Sequence, residues 1–153
     1  MRFRTWSLVA IIFLFSGVAS ADVKTLDTTA ACTGVIIGNG SLDYSYGDED
    51  AFVDATRIAY TGYIGHIAAH EYKKEDLEFA SQILYGNIDK IIQQDANMNW
   101  SDGTYEEIIK CYNTISISIM KNQHEIANNN SRIEKLAKRT IKKIKRFIDA
   151  TKN

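Results

Sequence analysis

The sequence predicts an all-α fold: a four-helix bundle-like domain with an additional basic amphipathic helix at its C-terminus. Three observations carry this. The 153-residue chain contains no proline, so nothing in it forbids long uninterrupted helices. Its apolar residues recur at spacings of three and four, the helical period, and not in alternation. Thr104 with Glu107, and Ser131 with Glu134, have the reciprocal spacing of a capping box at a helix start.

The first element reads as an address label. Arg2 and Arg4 precede an apolar run, Leu8 to Val18, and Ala19-Ser20-Ala21 is a small-x-small cleavage pattern ahead of Asp22. The run is well short of the roughly 20 residues a membrane-spanning helix needs, so residues 1–21 are expected to be a cleaved secretory signal. Residues 22–131 then form the helical domain, and residues 132–153 the basic helical tail.

Within the domain, Asp27 is expected to cap a short first helix bearing Ala30, Cys32, Val35, Ile36 and Ile37, which Gly38-Asn39-Gly40 stops. After a polar loop over 41–47, Asp48 is expected to cap a second helix reaching about Tyr72, with Glu49 and Asp50 in its first turn favoured by the helix dipole. A third helix runs from about Glu75 to Gln94, its stripe made by Leu77, Ala80, Leu84, Ile88 and Ile91. Residues 95–103 are a polar connector. Thr104 opens a fourth helix that turns Ile108, Cys111, Tyr112, Ile115, Ile119 and Ile126 to one side. Asn128-Asn129-Asn130 ends it, and Ser131 caps the terminal helix.

Cys32 and Cys111 are the only cysteines, an even count in an exported chain, which makes a disulfide the default. The alternative, Cys32 as a lipid-bearing cysteine after Thr29-Ala30-Ala31, fails because Asp22, Lys24 and Asp27 separate it from the apolar run. The formal charge of −1 conceals a split: residues 22–131 hold 7 basic against 17 acidic residues, and residues 132–153 hold 9 against 2.

That tail carries the first candidate site. Ile133, Leu136, Ala137, Ile141, Ile144, Phe147 and Ile148 share one arc of the helix, and the basic residues occupy the other half. Arg132, Lys135, Lys138, Arg139, Lys142, Lys143, Lys145 and Arg146 are therefore candidates for a membrane or partner contact. The competing expectation is that the apolar arc docks on the bundle.

His66 and His70 stand four apart on one helical face, the spacing at which two imidazoles can share a metal. Their Glu71 lies outside the pair, unlike the zinc-peptidase patterns, and hydrogen-bonded core histidines are the expected reading. The connector resembles an EF-hand calcium loop: Asp95, Asn97, Asn99 and Glu106 fall at its first, third, fifth and twelfth places. Trp100 stands where the sharp turn requires glycine. No cofactor is expected beyond a weak Ca²⁺ or Zn²⁺ interaction at these residues.

No nucleophile elbow or phosphate-binding glycine loop is present, and a disulfide leaves no free thiol to act as nucleophile. Gly62-Tyr63-Ile64 with Gly65 resembles a helix motif of the immunity proteins that neutralise secreted amidases, a likeness of four residues that assigns no family. The expected function is a non-enzymatic binding or protective protein of the bacterial periplasm or secretome. The alternative is a membrane- or envelope-associating protein acting through its basic helix; a weak metal binder or enzyme comes third. The partners in view are an envelope ligand or protein, an anionic membrane surface, and a second copy of the chain through its C-terminal helix. Export disfavours nucleic acid.

Overall fold

The computed structural model describes residues 19–96 and 101–151. It is all-α: α1 (Ala19–Ser45), α2 (Glu49–Ala68), α3 (Lys74–Ala96), α4 (Asp102–Lys121) and α5 (Gln123–Thr151), with no strand among the described residues. The predicted leader up to residue 18 lies outside the described residues. No helix of the described part is long and apolar enough to cross a membrane.

α1 is the axis of the molecule. Three consecutive residues, Val35, Ile36 and Ile37, are all buried, which a helix can achieve only when neighbours surround it. α3 runs parallel to α1 and α2 antiparallel to it. α4 closes a third side through the Cys32–Cys111 disulfide, whose Cα atoms are 4.6 Å apart. The expected staple between first and fourth helices is therefore in place, and both cysteines are buried.

The expectation that Gly38-Asn39-Gly40 stops the first helix is wrong, as is the placing of Asp27 at its start. α1 continues through both glycines to Ser45. Glycine inside a helix costs about 1 kcal/mol relative to alanine, and here close approach offsets that cost. A Cβ on Gly38 would lie 2.8 Å from the Cβ of Ile91 on α3, and one on Gly40 would lie 2.9 Å from the Cβ of Ala55 on α2. The glycine that does end α1 is Gly47, at φ 103°, whose N–H bonds to the Tyr44 carbonyl.

Asp48 caps α2 as expected, its Oδ1 accepting the Ala51 N–H at 3.0 Å. α2 ends at Ala68, short of Tyr72, because the chain then folds back over His66. α4 begins one turn before the predicted cap: Ser101 is its N-cap residue, and Thr104 is buried in the first turn. Glu107, the expected partner of Thr104, instead pairs with Lys90 of α3 at 3.2 Å.

The second predicted box is also wrong. α5 runs unbroken from Gln123 through Asn128, Asn129, Asn130 and Ser131, so the basic segment is the distal part of a longer helix. Within that helix the Asn129 amide donates to the Glu125 carbonyl at 2.8 Å, so the asparagine satisfies itself against the preceding turn. The real corner is Asn122. Its amide donates to the Ser118 carbonyl at 2.8 Å, and the Ser118 hydroxyl donates to the Gly62 carbonyl of α2 at 2.7 Å. A Cβ on Gly65 would run into Ile126, so α2 offers small residues where α4 turns into α5.

Candidate functional site

α5 lies antiparallel on α2, as two ion pairs show: Lys145 to Glu49 at 2.6 Å and Arg57 to Glu134 at 3.4 Å. Its apolar arc faces inward. Ile133, Ala137, Ile144 and Ile148 are buried, Leu136 and Ile141 are half-buried, and Phe147 at the arc's edge is 58% exposed. Thr140, in the middle of the arc, shares a 2.8 Å buried hydrogen bond with the hydroxyl of Tyr60.

Docking leaves the cations on the outside. Arg132, Lys135, Lys138, Arg139, Lys142, Lys143 and Arg146 are exposed, and Lys145 is half-buried. Four of them, Lys138, Lys142, Lys145 and Arg146, border an open groove of about 410 Å³ between α2 and α5. Arg57, Lys138, Lys142, Lys145 and Arg146 stand on its sides, Val53 and Ile141 lend apolar surface, and Asp149 is its one acid. The Glu49 hydrogen bond raises the pKa of Lys145, so the ammonium is charged at any physiological pH. Lys145 also lies 5.1 Å above the Tyr44 ring, and the Tyr44 hydroxyl donates to Asp149 at 2.9 Å. This arrangement holds five cations around a shallow depression and can receive an anionic group by charge and hydrogen bonding.

A smaller cleft of about 200 Å³ separates α3 from α5. Ile88, Ile92, Ile144 and Phe147 wall it, and Lys143 sits at its edge, 5.3 Å over the Tyr85 ring. Behind it are Tyr60 and Tyr63. Burial raises both their pKa values, with Tyr85 adding to the effect, and Tyr63 is pushed up to about 12.

His66 and His70 do come together, their rings 4.6 Å apart, but only His66 is buried. The Nε2 of His66 is hydrogen-bonded to the Tyr72 hydroxyl at 2.7 Å, and Nδ1 of His70 to the His66 carbonyl at 2.9 Å. No group of three His, Cys, Asp or Glu among the described residues is disposed to hold a metal. Of the connector, Asp95 accepts from the Tyr46 hydroxyl at 3.2 Å and Glu106 is exposed on α4. Asn97 and Asn99 lie outside the described residues.

The contribution of α2 to the basic groove was not anticipated. Arg57 is an isolated cation among acids, and only the antiparallel docking of α5 brings it beside Lys138 and Lys142. The Glu49–Lys145 pair spans 96 positions and left no local signal. No family model matches the chain, and no curated protein or solved structure matches it either.

Proposed function

We propose that this is an exported, non-enzymatic binding protein that engages an anionic surface of the cell envelope through the outer, basic side of α5 and the groove beside it. The carrying observation is that the apolar arc of α5 is docked while its cations other than the half-buried Lys145 stay exposed. A helix that entered lipid by its apolar face would first have to strip Ile133, Ala137, Ile144 and Ile148 from the core, each large side chain worth roughly 1.5 to 3 kcal/mol. The basic side needs no such rearrangement. The buried disulfide supports an oxidising compartment, and the signal-like residues 1–21 support export to the periplasm or beyond.

Such a contact is electrostatic and should weaken as salt shortens the screening length. Co-sedimentation of the disulfide-bonded protein with anionic phospholipid vesicles is expected to be strong at low salt and to fall steeply with added salt. The variant Lys138→Glu/Lys142→Glu/Arg146→Glu changes only exposed positions and should lose the binding. Deleting residues 131–153 is the wrong comparison, because it removes core. No binding at low salt, or undiminished binding by the triple variant, would refute the proposal.

A further inference from the structure

α3 and α5 run in the same direction but do not pack on each other. α3 lies on α1 and α5 on α2, and the cleft of about 200 Å³ is the space left between them. α3 walls it from Tyr85 to Gln93, eight residue steps or about 12 Å at 1.5 Å per residue. That length and volume imply a mean cross-section of about 17 Å², the girth of a single hydrocarbon chain. A helix, about 10 Å across, does not fit.

The two ends of the cleft differ. At one end the lining is polar: the Tyr85 ring, 45% exposed, lies 5.3 Å from Lys143 Nζ, and the Thr140 hydroxyl is held by Tyr60. Further along, the walls are Ile88, Ile92 and Ile144, with Phe147 58% exposed at the mouth. Among the described residues neither Lys143 nor Asp89, the one acid of the lining, has an ion-pair partner. Arg139, exposed one turn before Lys143 on α5, adds a second cation near the polar end. We propose that this cleft binds a medium-chain fatty acid, its carboxylate at the Lys143 ammonium and Tyr85 hydroxyl and its chain between Ile88, Ile92, Ile144 and Phe147. Asp89, one turn along α3 from Tyr85, repels an anion and so fixes the direction in which the chain lies. No residue of the basic groove lines the cleft, so this site is separate from the envelope contact.

Isothermal titration of the disulfide-bonded protein with hexanoate through tetradecanoate, each below its micelle concentration, should show binding at one site. Affinity should rise about fourfold per added methylene and level off once the chain outruns the cleft. Lys143→Glu should weaken decanoate binding at least tenfold, strengthen decylammonium binding and leave decanol within about twofold. Because Lys143 is exposed, the urea midpoint of that variant should not move. Asp89→Asn should bind decanoate about two- to threefold more tightly. The groove variant Lys138→Glu/Lys142→Glu/Arg146→Glu should keep decanoate binding within about threefold, whatever it does to vesicle binding. No binding of decanoate would overturn the proposal, as would affinity that climbs without limit along the series, the mark of unspecific partitioning. So would a Lys143→Glu variant indifferent to head-group charge, weaker decanoate binding by Asp89→Asn, or loss of decanoate binding in the groove variant.

Discussion

Replacing Gly34 with alanine tests the packing of α1 against α3 more severely than any truncation of a side chain. A Cβ there would run into the main-chain oxygen of Leu84 and lie 2.8 Å from the Cβ of Asn87, so the obstacle is largely backbone, which cannot swing aside. The intrinsic preference works the other way, because alanine favours the helix by about 1 kcal/mol over glycine. Overpacking costs typically about 1 to 3 kcal/mol, and a backbone collision belongs at or above the upper end. The net expectation is a loss of about 2 kcal/mol. Gly86, on the outer side of α3, is the matched control: nothing lies within 4 Å of its Cβ position. Gly86→Ala should gain about 0.5 to 1 kcal/mol. With a urea slope near 2 kcal/mol/M, the two midpoints should move in opposite directions, down by about 1 M and up by about 0.4 M. Gly34→Ala as stable as the parent would mean that α3 does not sit on α1 at this register, and the core described here would be wrong.

Three other perturbations follow from the same structure. Reducing Cys32–Cys111, which closes a separation of 79 positions, should cost about 2 to 5 kcal/mol in urea unfolding; two free thiols titrated in unreduced, unfolded protein would refute the bond. Tyr60→Phe strands the Thr140 hydroxyl and should cost about 1 to 2 kcal/mol, with much of it recovered in Tyr60→Phe/Thr140→Val; a double variant showing simply additive losses would deny the buried hydrogen bond. Tyrosine in the unfolded chain titrates near 10, whereas Tyr63 is pushed up to about 12 in the fold. Folding therefore favours the neutral ring, and that stability is complete below about pH 10 and lost as pH climbs toward 12. Tyrosinate absorbance should accordingly lag behind that of free tyrosine and rise together with unfolding.

The helical class, the Asp48 cap and the pairing of Cys32 with Cys111 were legible in the sequence, because each depends on neighbouring residues or on a count. The interruptions were not. Gly38 and Gly40 look like a stop, and Asn128 to Asn130 look like a break. Whether a helix ends there depends on what lies across from it, and Ile91, Ala55 and the α2 face reside on other segments. Tertiary packing outweighed local preference in both cases. The same limit applied to the site: the amphipathic division of α5 could be read from its period, but the groove needed Arg57 and Val53, which only the docked geometry supplies.

Because α1 is enclosed on several sides, it is also the helix least able to stand alone, and it is the first of the described helices. A segment that carries Val35, Ile36 and Ile37 has no water-facing orientation to adopt by itself: α2 follows it directly, but α3 and α4, which cover its other sides, lie further along the chain. Cys32 and Cys111 meet where α4 lies over α1. The covalent bond therefore ties the enclosed helix to the wall formed by α4, so a bundle that opens at α4 stays tethered to its own middle.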